Sequence, residues 1–544
     1  MNKKLAETRI WIPLIAAIML IGGMLLGHIV HTNAGASKTE RKLSTILKMV
    51  KHDYVDVVDV DSLLESVLPE IMESLDPHSS YIPAMDLEAF NENLEGSMSG
   101  VGVFFMMNND SVTIAEVISG GPAQKAGLMA GDRIVTVDGI SGSGQNLSKE
   151  KVQSMLKGET GTHVALGIRR ASASRILEFD IERGDVPLNS IDASYMLADG
   201  VGYIHVSQFS RTTYDEFLNA LSDLMAEGAK SYVIDLRENL GGYMEIAVYM
   251  ANEFLYPGSP IVFTKTRDGK DDRIYLSDTT GAFHDAGIVV LLDEMSASSS
   301  EVFAGAIQDN DRGLIIGRRS FGKGLIQRQV VLPDSSALQM TIGRYYTPSG
   351  RCIQKDYSNQ AKYRNDIIDR YNHGEAFVAD SIRQDTTEVY KTVHGRTVYG
   401  GGGIMPDIFV PSDTAQITGY YLNVFNSGLF QKYTFDYVDT NRDRLMSASS
   451  LQDLEDLLPS DDMLLRQFVN YAAQNGIAPR WYYINISRDL IINQLKAIIA
   501  RDVLGVSSYY EVLNRLDSTV IKALECILSG EANAPVNINY GHAE

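Results

Sequence analysis

Residues 288–310 read IVVLLDEMSASSSEVFAGAIQDN, and this stretch determines how the rest of the chain is interpreted. Its first five residues are leucine or β-branched, which predicts a strand buried on both faces. An amphipathic helix is predicted through Glu301–Gln308, so a serine-rich turn joins a strand to a helix. A serine at such a junction lies beside free backbone N–H groups, which favour developing negative charge. N-capping accounts for one serine. The turn holds more than a cap requires, namely Ser296, Ser298, Ser299 and Ser300.

The alternation of strand and helix continues over residues 186–355, within a core predicted at residues 186–411. The predicted elements are the strands VGYIHV (201–206), YVIDL (232–236) and GLIIG (313–317) and the helices through Phe217–Met225 and Met244–Phe254. Repeated strand–helix–strand units predict a mainly parallel sheet flanked by helices. The polar segment 356–403, which ends in a run of four glycines, is predicted to be a loop or an insertion.

Outside this core the pattern of the sequence changes. Residues 38–87 and 412–544 carry apolar side chains at helical spacing and are predicted to be helical. Residues 88–185 instead contain short apolar strands, many glycines and one brief helix, which predicts a small β-rich domain. The chain of 544 residues is therefore predicted to be a multi-domain α/β protein, with a helical N-terminal region, a β module, a mainly parallel α/β core and a helical C-terminal region.

The N-terminus and the bulk composition limit where the protein works and what it binds. The 21 residues Ile10–Val30 contain no Asp, Glu, Lys or Arg and follow three positive residues. Such a segment spans a bilayer core of about 30 Å and leaves the rest of the chain outside the cytoplasm. Residues 1–37 are therefore predicted to be a transmembrane anchor or, with Ala34-Gly35-Ala36 as a cleavage site, a signal peptide. The net charge of −21 argues against a nucleic-acid partner. The cysteines Cys352 and Cys526 form no metal-type C-x-x-C pair.

The stretch GRRSFGKGLIQRQ, residues 317–329, contains a lysine that two different chemistries would use. Its G-x-x-x-x-G-K spacing is that of a phosphate-binding loop, but Gly324 stands where a magnesium-binding Ser or Thr would be. The residues that follow, LIQRQVVLP, include three β-branched residues and end in proline. They predict a strand, whereas a phosphate loop opens a helix. The lysine is therefore not assigned to a nucleotide site.

A serine nucleophile needs a base, and Lys323 suits that role in its neutral form. Working near neutral pH requires the pKa of a lysine to fall by about three units from about 10.4, a difference of roughly 4 kcal/mol that desolvation supplies. Lys323 is flanked by glycines and stands between Phe321 and Leu325. Gln327 projects from the same face if the strand extends back, and it is predicted to hydrogen-bond the amine.

A third segment, YVIDLRENLGGY at residues 232–243, ends a predicted strand and places a Gly-Gly pair before a helix. Exposed backbone N–H groups at such a turn form an oxyanion hole, although an ordinary glycine turn explains the pattern equally well. Two other patterns are interpreted as structural. Ser148 to Lys151 matches S-x-x-K but lies in a polar stretch, and His205 lies inside a predicted strand.

Taken together, these residues resemble the C-terminal processing peptidases, which are secreted serine proteases with a Ser–Lys dyad. The matching stretches are LDPHSSYI, DLRENLGG, SASSSEVFAGAIQDNDRGLIIG, FGKGLIQ, YYTPSGRCIQ and GGGIMPDIFV. The resemblance covers residues 40–412. It implies that Ser298 is the nucleophile, that Lys323 is the general base and that Gln327 supports the lysine.

The resemblance also implies an oxyanion hole and a peptide-binding domain. The oxyanion hole is expected at the backbone N–H groups of Gly241, Gly242 and Ser299. Leu240 stands where the family often has proline, a change that a backbone donor tolerates. The β module resembles the PDZ domain of these proteases, which binds a peptide C-terminus as an added strand. Its carboxylate-binding loop is expected to consist of Gly100, Val101, Gly102 and Val103.

The implied protein is a serine endopeptidase that captures protein C-termini and cleaves envelope or periplasmic proteins near their tails. It is expected on the periplasmic side of the bacterial inner membrane, or secreted to the periplasm, and to need no metal or organic cofactor. Two alternatives stay open: a catalytically silent PDZ scaffold on the same fold, and an esterase or amidase that acts on small molecules. Formation of a homo-oligomer also stays open.

Overall fold

The computed structural model describes residues 37–108, 111–141, 148–170, 173–383 and 385–533. The anchor or signal peptide predicted at residues 1–37 therefore lies, apart from its last residue, outside the described residues. Within the described ranges, no helix combines the length and the apolar character needed to cross a membrane. The chain divides after Leu75 into two compact units.

The first unit is helical, as the apolar spacing predicts. The part of it that the structure describes contains α1 (Lys38–Asp53) and α2 (Val60–Glu73). Ser37 begins α1 with a capping box, in which its hydroxyl accepts from Glu40 N and the Glu40 carboxylate accepts from Ser37 N. Apolar side chains on both helices stay exposed, among them Leu43 at 53% and Ile71 at 47%. These helices therefore form without a sizeable apolar core between them.

The second unit begins with a short lead-in that precedes the predicted β module. The lead-in consists of β1 (Ser80–Ile82) and α3 (Leu87–Glu95). The module, residues 97–187, consists of β2 (Ser97–Gly100), β3 (Val103–Asn108), β4 (Ser111–Val117), α4 (Pro122–Ala126), β5 (Arg133–Val137), β6 (Ile140–Ser141), α5 (Lys149–Leu156), β7 (His163–Arg169), β8 (Leu177–Glu182) and β9 (Gly184–Pro187).

The module is a small antiparallel sheet around an aliphatic core. Its sheet has the order β3-β4-β5-β7-β8, with β3 at one edge, and β2 pairs with β9. The prediction of a single helix was wrong, because both α4 and α5 are present. The second helix is weakly marked in the sequence, since Val152 and Leu156 are the residues it buries. Since β2 and β9 are neighbours, the chain enters and leaves the module at one place.

The core follows the predicted alternation of strands and helices. Its elements are β10 (Ile191–Ala198), β11 (Val201–Val206), α6 (Thr213–Ala226), β12 (Ser231–Asp235), α7 (Met244–Asn252), β13 (Pro260–Thr266), β14 (Arg273–Leu276), β15 (Gly287–Leu292), α8 (Ser299–Asp309), β16 (Leu314–Gly317), β17 (Leu325–Val331), β18 (Ala337–Tyr346), α9 (Gln360–Asn372), β19 (Val389–Lys391), β20 (Thr397–Tyr399) and β21 (Ile408–Phe409). The main sheet has the order β10-β11-β12-β15-β16-β21. Only its β10–β11 pair is antiparallel, so the predicted mainly parallel sheet is confirmed.

A second, antiparallel sheet lies beside the main one. It has the order β1-β18-β13-β14, and β17 also pairs with β18. The predicted loop at 356–403 was wrong in part, because this segment contains α9 and the β19–β20 hairpin. The helix was hard to recognise because Tyr363 and Arg370 are its buried residues, and one of these is charged.

The C-terminal region is helical, as predicted, and it completes the core. Its α-helices are α10 (Gly419–Asn426), α11 (Leu429–Thr440), α12 (Arg442–Leu445), α13 (Leu451–Leu457), α14 (Asp461–Gln474), α15 (Trp481–Ile486), α16 (Arg488–Leu504), α17 (Val506–Leu513) and α18 (Ser518–Leu528), and short 3-10 helices lie at Ala379–Ser381, Asn514–Leu516 and Glu531–Asn533. Helices α10 to α17 pack around their own apolar core. In contrast, α18 buries Val520, Ala523 and Ile527 against Val289 and Leu291 of the main sheet. One face of that sheet is therefore covered by α6, α7 and α8, and the opposite face by the C-terminal helix.

Candidate active site

The serine-rich turn between β15 and α8 is held in one conformation by a buried carboxylate. Asp293 Oδ1 accepts from the backbone N–H groups of Met295 and Ser296, at 3.0 and 3.1 Å. Ser298 then adopts a φ of 56°, a left-handed conformation that is uncommon outside glycine. Strained backbone of this kind is found where the surrounding structure imposes it, often at functional sites. The turn thus places Ser298 at the N-terminus of α8, as predicted.

The other three serines of this turn hold the neighbouring loop. Ser296 Oγ donates to Leu236 O at 2.8 Å, Ser299 Oγ to Gly242 O at 2.9 Å and Ser300 Oγ to Asn239 O at 2.9 Å. All three acceptors belong to residues 236–242, the predicted oxyanion turn. The surplus of serines therefore joins two loops that follow neighbouring parallel strands, β12 and β15.

Lys323 and Gln327 make the contact that strand alternation predicts. Lys323 Nζ donates to Gln327 Oε1 at 2.9 Å, and Gln327 Nε2 donates to His78 O at 2.5 Å. The second bond fixes the orientation of the amide, so that its oxygen faces the lysine. Strand β17 begins only at Leu325 and is irregular between Ile326 and Gln327, so the pair forms although the strand does not reach back to Lys323.

Burial favours the neutral form of the Lys323 amine, which is the form that can act as a base. Desolvation lowers the pKa of Lys323, and the negative charges of Glu301 and Asp76 oppose that shift. The nearby His78 has its pKa lowered to about 4, mainly by desolvation and then by the charge of Lys323. His78 therefore stays neutral near pH 7 and adds no positive charge beside the lysine.

Two residues that sequence patterns did not single out fasten the backbones of Ser298 and Lys323 to each other. Glu301 Oε2 accepts from Ser298 N at 2.9 Å and from Lys323 N at 2.8 Å. The hydroxyl of Tyr345 donates to Ser298 O at 3.0 Å and to Lys323 O at 2.5 Å. The S-x-x-E spacing of Ser298 and Glu301 was a usable signal, because it is that of a capping box. Tyr345 carried no such signal.

Glu301 is fully buried and its carboxylate is surrounded by donors. Its second oxygen accepts from Gly322 N at 2.7 Å and from Ser320 Oγ at 2.5 Å. Burial raises the pKa of Glu301, and the hydrogen bonds from Ser320 and the backbone counteract that rise. The carboxylate thus joins the start of α8 to the loop that carries the lysine.

The oxyanion turn differs from the expectation at one residue. Gly241 N donates to Asn239 Oδ1 at 2.8 Å, so its N–H is already used. Among the described residues, the N–H groups of Gly242 and Ser299 have no hydrogen-bond acceptor. Gly241 instead allows the backbone of the turn to approach Ser298 closely. Its φ is 103°, and a Cβ there would lie 2.7 Å from Ser298 Cβ.

The predicted tail-binding loop lies apart from these residues, in the β module. Gly100 to Val103 connects β2 to the edge strand β3. Val101 O accepts from Ala123 N at 2.7 Å, and Gly102 O accepts from Ile118 N at 3.0 Å. Gly102 has a φ of 82°, a conformation that glycine adopts at no steric cost. An edge strand with a glycine loop at its start is the geometry that accepts an added peptide strand.

The remaining candidates have structural roles, as predicted. Ser148 caps α5, with its hydroxyl accepting from Lys151 N at 3.2 Å. His205 is buried in β11 and stacks on Tyr510, with ring centroids 4.4 Å apart. Among the described residues, no group of His, Cys, Asp and Glu side chains is arranged to hold a metal ion.

Comparisons with known proteins agree with these features. The model of peptidase family S41 matches residues 200–360, that of the PDZ domain matches 113–170, and a family of unknown function (DUF8443) matches 420–505. A carboxy-terminal-processing protease of Bartonella bacilliformis is 33% identical over 347 residues, which are 62% of this chain and 79% of that protein. The carboxy-terminal processing protease CtpA of Bacillus subtilis is 31% identical over 324 residues, 59% of this chain and 68% of that protein. A solved photosystem II D1 C-terminal processing protease is 26% identical, covering 70% of this chain and 95% of that one at a TM-score of 0.34.

Proposed function

The chain belongs to the carboxy-terminal processing proteases of peptidase family S41, and on this basis we propose that Ser298 and Lys323 are its catalytic pair. The protein is a serine peptidase with a PDZ domain that binds protein C-termini, and it cleaves near those C-termini. The observation that best supports the pair is the desolvated Lys323 amine, which Gln327 orients while Glu301 fixes the lysine backbone to that of Ser298.

In the proposed mechanism, neutral Lys323 accepts the proton of Ser298 as the Ser298 oxygen attacks the scissile carbonyl. The lysinium then gives this proton to the leaving amine as the C–N bond breaks. The C-terminal fragment departs with a new N-terminus, and the rest of the substrate stays on Ser298 as an acyl-enzyme. Lys323 next takes a proton from the water that attacks the ester and returns it to the leaving Ser298 oxygen. This step releases the second product, which carries the new C-terminus, and restores neutral Lys323. Gln327 keeps the amine oriented through both halves of the reaction.

The negative charge on the carbonyl oxygen needs backbone donors beside Ser298. We assign this role to Gly242 N and Ser299 N, because neither has an acceptor within the described chain. Removing one donor of an oxyanion hole typically lowers kcat by about 10² to 10³. Gly241 contributes to the same turn by allowing its backbone to approach Ser298 closely.

We propose that the tail of the substrate adds to β3 as a further strand and that its carboxylate binds the N–H groups of Gly100 to Val103. The PDZ domain would then correspond to residues 88–185, the protease core to 186–411 and the helical extension to 412–544. Main-chain pairing along an edge strand gives affinity with little dependence on side chains, which suits a protease that acts on several tails.

We further propose that the protein works in the periplasm on envelope proteins and is held there by residues 1–37 as an anchor, or released by their cleavage. The apolar segment Ile10–Val30 behind positive residues supports this placement. Self-association is also proposed, because α1 and α2 leave apolar side chains such as Leu43 and Ile71 exposed. Fractionation of cells and sedimentation of the purified chain test these two points.

The catalytic pair is tested by labelling with a serine-reactive probe. The wild-type chain should label and should shorten a tagged tail, and Ser298→Ala should do neither. Ser358→Ala removes an exposed serine and should behave as wild type. Labelling that persists in Ser298→Ala would show that the nucleophile is another residue. A wild-type chain that neither labels nor cleaves would favour a silent PDZ scaffold.

The role of the PDZ domain is tested by deleting residues 96–185. Entry and exit strands β2 and β9 lie side by side, so a short linker can join the flanking chain. The deletion should impair cleavage of protein tails and spare small esters. Unchanged cleavage of tails would contradict the proposed capture step.

The substrates are identified by a separate experiment, which compares the C-termini of envelope proteins between cells with the wild-type protein and cells with Ser298→Ala.

A further inference from the structure

The turn that carries the oxyanion donors is attached at its base to the C-terminal region. Arg237 begins this turn and binds two carboxylates at once. Its Nε donates to Asp235 Oδ1 at 2.9 Å and its Nη2 to Asp235 Oδ2 at 2.6 Å. Its Nη1 donates to Asp517 Oδ2 at 2.7 Å. The first partner belongs to the same strand end, whereas the second comes from the far end of the chain.

Asp517 uses its two carboxylate oxygens for separate tasks. One oxygen caps α18, accepting from Thr519 N at 2.9 Å and from Val520 N at 3.0 Å. The other accepts from Arg237. The Arg237 and Asp517 side chains are only 18% and 25% exposed, so solvent screens their pairing less than it screens a surface ion pair.

Other contacts show that this pairing belongs to a packed interface. Asn514 Nδ2 donates to Tyr195 Oη at 2.8 Å, and Tyr510 stacks on His205. Helix α18 then continues over the main sheet and buries its apolar face there. The position of Asp517 relative to the end of β12 is thus fixed from both sides.

The turn beyond Arg237 needs such support because its backbone is strained. Glu238 has a φ of 61°, and its N–H donates to Asp293 Oδ1 at 3.0 Å. Asn239 and Gly241 follow directly, and Gly241 also has a positive φ. The N–H of Gly242 lies in the same turn as Arg237, five residues further along the chain.

We propose that Asp517 is a positioning residue for the oxyanion hole, which it holds in place through Arg237. The inference rests on the proposed function and extends it: the C-terminal region is a part of the catalytic unit. Since an oxyanion donor must lie at hydrogen-bond distance from the developing charge, a loosened turn lowers kcat and leaves ground-state binding unchanged.

Two substitutions separate the tether from the helix cap. Asp517→Ser keeps a preferred N-cap residue but is too short to reach Arg237. Asp517→Glu keeps the charge and the reach but caps less well. We expect Asp517→Ser to lower kcat at least tenfold with KM for a tail peptide within twofold, and Asp517→Glu to keep kcat within threefold while lowering Tm. Glu525→Gln, which removes an exposed ion pair with Lys522 on the same helix, is the matched control and should change neither.

Inhibition by a peptide aldehyde distinguishes the proposed positioning role from a purely structural one, which would not change the inhibition constant. The adduct of the aldehyde with Ser298 places an oxygen anion in the oxyanion hole, so the inhibition constant should rise in Asp517→Ser by the same factor as kcat falls. The affinity of the cleaved product peptide, which forms no adduct, should stay unchanged.

The inference is overturned if Asp517→Ser keeps the wild-type kcat, or if kcat falls without a change in aldehyde inhibition. It is also overturned if kcat follows Tm in both Asp517 variants, because that pattern indicates helix capping alone. A wild-type chain without any cleavage would instead count against the proposed function, so the two failures are distinguishable.

Discussion

The proposed catalytic centre and the proposed peptide-binding loop of the PDZ domain both contain glycine turns, yet they are assembled in different ways. The loop at Gly100 to Val103 belongs to one continuous module, residues 97–187, with its own aliphatic core. The centre instead combines His78 of the lead-in, Ser298 and Lys323 of the core, and a base of the oxyanion turn held by Asp517. Binding of tails is therefore locally encoded, whereas catalysis depends on contacts between distant parts of the chain.

The strongest test of this contrast is Lys323→Arg. Arginine stays charged at every accessible pH and cannot accept a proton, so kcat should fall by at least about a thousandfold. The Kd of a fluorescent tail peptide should stay as in wild type, because the proposed binding loop belongs to the β module and Lys323 to the core. A variant with kcat within tenfold of wild type would exclude the lysine as the base.

The pH dependence of kcat in the wild type accompanies this test. Desolvation lowers the pKa of Lys323, and only the neutral amine acts as a base. Activity should therefore rise with pH along a limb whose midpoint lies below the ordinary lysine value of about 10.4. A limb centred at that ordinary value would show that the amine is not desolvated.

A weaker effect is expected for Glu301→Gln, which changes the support of the centre and not its reacting groups. The amide has one acceptor oxygen where the carboxylate has two. Either the N–H groups of Ser298 and Lys323 or the N–H of Gly322 therefore lose their acceptor. We expect kcat to fall about a hundredfold, with part of the loss reflecting a lower Tm. Glu294 of the serine-rich turn forms a partly exposed ion pair with Arg318. Glu294→Gln removes this pair and should leave kcat and Tm close to the wild-type values. Equal effects of the two would contradict a supporting role for Glu301.

His78, which precedes β1, should make the free energy of unfolding depend on pH below neutrality. The folded state lowers the pKa of His78 from 6.5 to about 4, so between these values the unfolded chain binds the extra proton. Protonation of His78 in the unfolded chain therefore lowers the free energy of unfolding as the pH falls below 6.5. Relative to His78→Gln, which does not titrate, wild type should lose about 2 kcal/mol between pH 8 and pH 5. Parallel stability profiles in denaturant titrations would contradict the assignment.

The smallest effect should come from the PDZ loop. Gly102→Ala adds a Cβ at a φ of 82° and 3.2 Å from a Val186 methyl, which should displace the carboxylate-binding N–H groups. We expect KM for a protein tail to rise about tenfold at constant kcat, equivalent to about 1.4 kcal/mol of binding energy. Gly161→Ala is matched in φ, at 86°, but its Cβ meets open space in the same module. An equal rise in KM for both would indicate general damage to the module.

Sequence patterns could single out the proposed catalytic residues because each is marked by local chemistry. Ser298 stands at a strand–helix junction, and Lys323 and Gln327 stand four residues apart beside a strand. The alternation of strands and helices predicted the parallel sheet for the same reason, since buried parallel strands are continuously apolar. The PDZ-like module followed from its own short strands and glycines.

Sequence patterns did not predict contacts between residues that are distant along the chain. Tyr345 joins the centre through hydrogen bonds to Ser298 O and Lys323 O, and Asp517 through one to Arg237, and no sequence periodicity indicates these contacts. Helix α9 was overlooked because its buried face includes the charged Arg370, which donates to backbone carbonyls of the lysine loop. Gly241 was taken for a donor, and only the position of the Asn239 side chain showed that its N–H is used.

The placement of α18 has a consequence for how the enzyme comes into being during synthesis. Strand β16 ends at Gly317, but the helix that covers its outer face begins only at Ser518. Until that helix has emerged, Val289, Leu291 and Ile316 present an uncovered apolar surface, which makes the partly made chain prone to aggregation and slow to fold. The oxyanion turn also lacks its last tether during this interval. On the proposed role of Asp517, a nascent chain that has not yet produced α18 should cleave its own exposed segments more slowly than the folded chain does.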